Sequence, residues 1–300
     1  MAEREDLIAL PEDVFRLLRD LISDYCGLYF DDSSKYIVEH RLNRRLRLRM
    51  LDDFRDYYRF LLFDRGKEEE MAAIVDILTV NETYFFREMN QLRAFSEEIC
   101  EEMHSAKTAS KRLRIWSAGC SSGEEPYTIA MLVLERRDLF KDFDVEIIGS
   151  DINRRVLQTA RKGVYGKNSF RAIDERYLGR YFEKEDDRYR VKDKVKELVN
   201  FNYLNLLDPV KAKLIGTMDV IFCRNVLIYF HIDSKKKLIN NFSQKLVGGG
   251  YLLLGHAESL MNVSTSFTLK HLKNDMVYQK PHKLVLPVGD EKLTGMLRNR

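Results

Sequence analysis

Leu113-Arg-Ile-Trp-Ser-Ala-Gly-Cys-Ser-Ser-Gly-Glu-Glu-Pro-Tyr127 decides how the chain is read. Residues 113–117 form a short apolar run, a turn of small residues begins at Ala118, and Pro126 to Leu134 has helical apolar spacing. A strand feeding a helix through a tight turn is the building unit of a parallel sheet. Gly119 and Gly123 let the backbone approach a ligand closely. Their G-x-x-x-G spacing departs from the G-x-G-x-x-G dinucleotide fingerprint and from the P-loop. Glu124 and Glu125 open the helix, where they would repel a diphosphate but can hold an ammonium or sulfonium group. Carboxylates there also complement the helix dipole, so the pair alone leaves both readings open. A nucleotide cofactor without a pyrophosphate fits this turn best.

Downstream the alternation repeats. Val145–Gly149, Leu198–Tyr203, Met218–Cys223 and Tyr251–Leu254 read as strands, with helices over Arg154–Lys162 and Asp233–Leu246. This predicts an α/β class chain with a doubly wound, Rossmann-like parallel sheet. Phe267–Leu272 and Met276–Gln279 flank the turn-like Lys273-Asn-Asp275, a closing hairpin expected to pair antiparallel at one edge. Residues 167–197 are unusually charged and read as an inserted small β-subdomain with a helix and a hairpin. Upstream, Val14, Leu17, Leu18, Leu21, Ile22 and Tyr25 recur at three- and four-residue steps until Gly27. Helical patterning resumes over Tyr36–Leu51, Phe54–Phe63 and Met71–Leu78, so residues 1–80 form an all-helical N-terminal domain. Residues 81–112 link it to the α/β domain, which spans 81–281 in all, and 282–300 lose periodicity as a peripheral tail.

Composition narrows the function classes. With 45% hydrophobic and 32% charged residues, 300 residues suffice for a globular chain with more than one core. The net charge of +3 does not suit a general nucleic-acid binder, so any electrostatic preference must be local. Cys26, Cys100, Cys120 and Cys223 form no C-x-x-C pair and the histidines have no ligand spacing, so no metal is expected. The start, Met1-Ala-Glu-Arg-Glu-Asp, lacks the basic-then-apolar order of a signal peptide, and no run of about eighteen apolar residues occurs. A cytoplasmic location without membrane insertion is expected.

The expected strand ends supply a binding crevice. Asp151 closes Ile148-Gly-Ser-Asp-Ile152, where a carboxylate can accept hydrogen bonds from two ribose hydroxyls or cap the next helix. Asn202-Tyr-Leu-Asn-Leu206 suits adenine contacts, and Phe222-Cys-Arg-Asn-Val-Leu-Ile-Tyr229 closes the next strand. Polar groups at one carboxyl edge are what such a sheet requires of a site.

At these residues the chain resembles a known family. Asn81-Glu-Thr-Tyr-Phe-Phe-Arg87, Trp116-Ser-Ala-Gly-Cys-Ser-Ser-Gly-Glu-Glu-Pro-Tyr127, Phe222-Cys-Arg-Asn-Val-Leu-Ile-Tyr-Phe230 and Gly255-His-Ala-Glu-Ser259 resemble the CheR-type chemotaxis receptor methyltransferases, over about Pro11 to Lys280. The resemblance implies a helical domain, a linker and a Rossmann-like methyltransferase domain that uses S-adenosylmethionine to esterify glutamate side chains of chemoreceptors, releasing S-adenosylhomocysteine. It places cofactor contacts on Asn81, Thr83, Arg87, Glu125, Asp151, Asn205, Leu206, Arg224 and Asn225, and puts Tyr229 near the reacting methyl group. Arg87 and Tyr229 are then the expected catalytic pair.

Arg41-Leu-Asn-Arg-Arg-Leu-Arg-Leu-Arg49 concentrates five arginines in nine residues. Against helical, glutamate-rich receptor segments, Arg41, Arg44, Arg45, Arg47 and Arg49 are expected to form the docking surface, although a charge run is ordinarily a solvated face. Tethering members of the family grip a receptor's C-terminal pentapeptide at the β-subdomain; here the loop Glu183-Lys-Glu-Asp-Asp187 is short, charged and without glycine, so no tether is expected. A monomer is expected. A nucleic-acid methyltransferase is the catalytic rival, but the Asp/Asn-Pro-Pro-aromatic motif of its amino-methylating members is replaced by Arg224-Asn-Val-Leu-Ile. A cofactor-binding signalling adaptor without turnover is the rival outside catalysis, and the presence of Arg87, Asp151 and Tyr229 speaks against it.

Overall fold

A computed structural model describes residues 7–282. Of the expected tail, all but the first residue lies outside the described residues. The N-terminal domain consists of α1 (Glu12–Cys26), α2 (Lys35–Leu48), α3 (Phe54–Phe63) and α4 (Lys67–Leu78). Helix α1 buries Val14, Phe15, Leu18 and Ile22 on one face and stops at Gly27, whose φ of 82° only glycine adopts without strain. Asp53 starts α3 by accepting the N–H groups of Arg55 and Asp56.

Beneath the apolar core of this domain lies one fully buried carboxylate, Glu70 of α4. It accepts hydrogen bonds from Arg45 Nε (2.8 Å) and Nη2 (2.5 Å), Arg49 Nε (2.5 Å) and the Tyr57 hydroxyl (2.6 Å). Burial alone would push this carboxyl up, but these donors outweigh it and hold Glu70 below its ordinary value. Three of the five arginines expected to dock are thus engaged within the helical domain. Arg45 and Arg49 are spent on Glu70, and Arg41 Nη1 donates to the carbonyls of Ile77 and Leu78. These bonds tie α2 to α4.

The second domain carries β1 (Arg112–Ala118), β2 (Asp144–Asp151), β3 (Val164–Tyr165), β4 (Phe182–Glu185), β5 (Arg188–Val191), β6 (Val199–Tyr203), β7 (Met218–Cys223), β8 (Leu246–Leu254), β9 (Thr268–His271) and β10 (Met276–Gln279). Seven of them form one sheet in the order β6-β2-β1-β7-β8-β10-β9. The first five run parallel, and β10 and β9 add antiparallel at the edge, as the hairpin predicted. Side chains alternate between two cores: Ile115, Ile147, Val220 and Phe222 face one layer, while Trp116, Ile148, Ile221 and Leu252 face the other. Chain order reverses between β1 and β7, which opens a crevice at their carboxyl ends.

A three-stranded sheet, β3-β5-β4, forms the subdomain. It starts at Val164, three residues before the expected boundary, because Val164 and Tyr165 pair with Arg190 and Tyr189. Strand β8 likewise begins at Leu246 rather than Tyr251, since Leu246 already pairs with Met218 of β7. The linker contains helices Met89–Arg93 and Cys100–Ala106 joined by a π-helical turn, Ala94–Ile99. Phe85 pins it to the subdomain, with its ring 4.9 Å from Tyr165, 5.2 Å from Phe170 and 4.9 Å from Phe182. Among the described residues no helix is long and apolar enough to cross a membrane.

Candidate active site at the carboxyl edge of the sheet

All ten residues expected at the site, Asn81, Thr83, Arg87, Glu125, Asp151, Asn205, Leu206, Arg224, Asn225 and Tyr229, line a single cavity. The linker covers it, the ends of β1, β2, β6 and β7 form its floor, and Cys26 and Leu28 of the helical domain close one side.

Asp151 is nearly inaccessible at the end of β2, where its two oxygens accept the N–H groups of Ser121 and Asn153, both at 2.8 Å. Burial pushes its carboxyl up, opposed by those N–H groups. The cap of the following helix, Arg154–Lys162, is Asn153, so Asp151 is not the cap. Ser121, at φ 49°, joins the turn to the linker by donating its hydroxyl to the Asn81 carbonyl at 3.0 Å.

The two glutamates of the β1 turn part company. Glu125 lines the cavity, accepting from Ser117 Oγ at 2.7 Å and Arg224 Nη1 at 3.2 Å; burial raises its carboxyl despite the guanidinium. Glu124 turns away, bonded to Ser122 and to Ser169 of the subdomain. Of these two, only Glu125 faces the cavity.

Arg224 is buried and acts as a buckle. Its guanidinium pairs with Glu125 and Glu88 at 3.2 Å each and donates to the Arg87 carbonyl, clamping the linker onto the sheet. Its Nε is buried without a hydrogen-bond partner among the described residues. Burial pushes Glu88 up, but Arg224 reverses this and holds the carboxyl low. Asn205 is similarly committed: Nδ2 donates to the Tyr25 carbonyl and Oδ1 accepts from Leu207 N–H. Arg87, by contrast, donates one N–H to the Glu82 carbonyl, at 3.0 Å, and faces the same space as Tyr229. Burial raises the Tyr229 phenol, and the Arg87 charge opposes the shift.

Glu258 carries no signal in the sequence beyond its place in the string Gly255-His-Ala-Glu-Ser259. Its carboxylate accepts the N–H groups of Asn225 (2.8 Å), Gly255 (2.7 Å) and Ile228 (3.3 Å), fixing the loop after β7, where Asn225 takes a φ of 59°. Gly255 has no room for a Cβ, which would stand 2.7 Å from Asn225 Nδ2.

The donor set suits S-adenosylmethionine. Asp151 brings a carboxylate of the kind two vicinal hydroxyls can share to the cavity, Glu125 a buried carboxyl that a cationic group can meet, and Arg87 a guanidinium that can meet a carboxylate. The close turn at Gly119 is demanded by packing, because a Cβ there would lie 2.5 Å from Val226 Cγ2 in the cavity wall.

A doubly wound sheet with a cationic-nucleoside site at its carboxyl edge defines the class of Rossmann-like methyltransferases. Residues 81–276 match the family model "CheR methyltransferase, SAM binding domain" and residues 13–79 match "CheR methyltransferase, all-alpha domain". The chain belongs to the CheR methyltransferase family, and its cofactor is S-adenosylmethionine. It is 38% identical over 289 residues to Chemotaxis protein methyltransferase 2 of Vibrio cholerae, covering 96% of this chain and 99% of that one. It is 34% identical to Chemotaxis protein methyltransferase of Borreliella burgdorferi, covering 83% and 88%, and 32% identical to Chemotaxis protein methyltransferase 1 of Pseudomonas aeruginosa, covering 88% and 97%.

Proposed function

We propose that this protein esterifies glutamate side chains on the helical cytoplasmic region of a chemoreceptor, acting as a cytoplasmic monomer. The observation that supports this reading best is the convergence of the ten site positions on one cavity in a chain that matches chemotaxis methyltransferases along nearly its whole length. The cofactor supplies a methyl group on a positively charged sulfur. A glutamate carboxylate, with an ordinary pKa of about 4.3, is already ionised at neutral pH and needs no base. Alignment is therefore the chain's task. Asp151, Asn81, Thr83, Asn205 and Leu206 hold the nucleoside, Glu125 faces the cationic end, and Arg224 and Asn225 keep floor and linker together. Arg87 and Tyr229 orient the incoming carboxylate.

Turnover of Arg87→Ala and Tyr229→Phe tests this pair. Each is expected to lower kcat, by about tenfold or more, since misplacing a reactant by ~1 Å costs up to ~100-fold. Unchanged kcat in both would remove the catalytic assignment.

For docking, we propose the outer face of α2 around Arg44, which is exposed, with Arg47 one turn further along. Attraction through this face should weaken with salt. The turn at Asp186 that joins β4 to β5 has no glycine, and we read the subdomain as lacking a pentapeptide tether.

Transfer of a labelled methyl group to receptor cytoplasmic domains tests the whole reading. Base-labile label on the receptor is expected, at the same rate with and without the receptor's C-terminal peptide. Label on nucleic acid, or none, would overturn the substrate assignment, and a large loss on removing the peptide would overturn the absence of a tether.

A further inference from the structure

We infer that Gly27-Leu28-Tyr29, the tip of the helical domain, is a positioning element of the active site that holds the main chain at Tyr229 by a β-bridge. This rests on the role of Tyr229 proposed above. Tyr229 closes a three-residue turn of 3-10 helix, Leu227–Tyr229, which follows the left-handed Asn225. So short a turn does not fix its own place. One side of it is held by Glu258 through the Asn225 and Ile228 N–H groups.

The helical domain holds the other side. Tyr29 N–H donates to the Tyr229 carbonyl at 2.9 Å, and Leu28 pairs antiparallel with Phe230. The Tyr229 side chain packs against the core of the helical domain rather than against either core of the sheet. The approach is close because residue 27 has no side chain. At its φ of +82° a Cβ would stand 2.8 Å from Leu207 Cδ1 and 3.2 Å from the Phe230 ring. A second anchor, Asn205 Nδ2 to the Tyr25 carbonyl, keeps the end of α1 on the floor of the cavity. The helical domain therefore does more than present arginines: its seat on the α/β domain sets where the Tyr229 hydroxyl lies.

Tyr29→Pro and Tyr29→Ala, each in the natural and the Tyr229→Phe background, test this. Proline removes the bridging N–H, whereas alanine keeps it and removes only the ring that lies 5.1 Å from His231. In the natural background Tyr29→Pro is expected to lower kcat for labelled-methyl transfer about tenfold or more, and Tyr29→Ala no more than about threefold. In the Tyr229→Phe background the further cost of Tyr29→Pro should shrink to about twofold, because two changes acting through one group do not add. Equal fold-losses in both backgrounds, or equal losses for proline and alanine, would overturn the inference. No loss of kcat in Tyr229→Phe alone would instead overturn the role of Tyr229. If melting shows Tyr29→Pro unfolded, Gly27→Ala takes its place in the same two backgrounds, since it presses on Leu207 and Phe230 and leaves the N–H in place. A loss that shrinks in the Tyr229→Phe background would then support the inference, and an equal loss in both would overturn it.

Discussion

Asp151→Asn is expected to weaken binding of S-adenosylmethionine by on the order of 100-fold, measured by titration calorimetry. Two backbone N–H groups, from Ser121 and Asn153, already point at the two carboxylate oxygens. An amide can accept only one of them and turns an NH2 toward the other, so the turn holding Ser121 and Asn81 loosens. It also loses acceptor capacity for the ribose hydroxyls. A factor of 100 is about 2.8 kcal/mol, which two hydrogen bonds to a charged group supply at the low end of their usual ~1.5–3 kcal/mol each. The pH dependence has a defined sign. Burial raises the Asp151 carboxyl above its ordinary value, so its ionised, accepting form is lost at a higher pH than for a free aspartate. Cofactor affinity should fall as pH drops through that raised pKa, and Asp151→Asn should lack this part of the acid limb. Glu125, raised by burial as well, contributes its own share, which the variant keeps. An affinity within about threefold of the natural protein would show that Asp151 does not bind the ribose.

Glu70→Ala is expected to destabilise the helical domain by about 3–5 kcal/mol in chemical denaturation. The carboxylate is fully buried and is the shared acceptor of Arg45, Arg49 and Tyr57. Removing it leaves guanidinium groups and a phenol partly buried without their acceptor, which costs more than the net worth of the ion pair. Against a typical domain stability of about 5–15 kcal/mol, this takes a large part of what holds the four helices together. The sign of its pH dependence follows from the depressed folded-state pKa. The stability Glu70 contributes is fully present above the unfolded value of about 4.3 and is lost as pH falls through the lower folded value. The natural protein should therefore lose a component of stability in acid that Glu70→Ala never had. A loss under about 1 kcal/mol would show that the arginines find other partners or water at no cost. Since the end of α1 also seats the bridge to Tyr229, the loosened variant should lose kcat as well as stability.

Legibility from sequence differed with the kind of question. Turn and strand-end positions were readable because each follows from local order: a β1 run, then Gly119 and Gly123, then a helix; a β2 run, then Asp151. Resemblance to a family added Asn81 to Arg87, which local reading alone would leave as an aromatic stretch at a domain boundary. There the structure sets core positions and cavity-lining positions side by side. Phe85 and Phe86 are buried, Phe85 among subdomain rings, while Asn81, Thr83 and Arg87 face the cavity. The arginine stripe was legible as a charge run but not as to its use. Glu70 lies 25 residues from Arg45 and 21 from Arg49, and nothing in the spacing of α2 reveals that a buried acceptor waits on α4.

By itself the sequence determined the succession of helices and strands, the parallel sheet with its antiparallel closing hairpin, the carboxyl-edge crevice and the family. These depend on periodicity and on turn chemistry, which are written over a few neighbouring residues. Tertiary structure alone decided which arginines tie α2 to α4, which of Glu124 and Glu125 meets the cavity, that Glu258 clamps the loop after β7, and that the tip of the helical domain reaches Tyr229. Those outcomes depend on which groups share a buried space once the chain has closed on itself. A buried donor must find an acceptor wherever the fold has brought one, and distance along the chain does not record where that is.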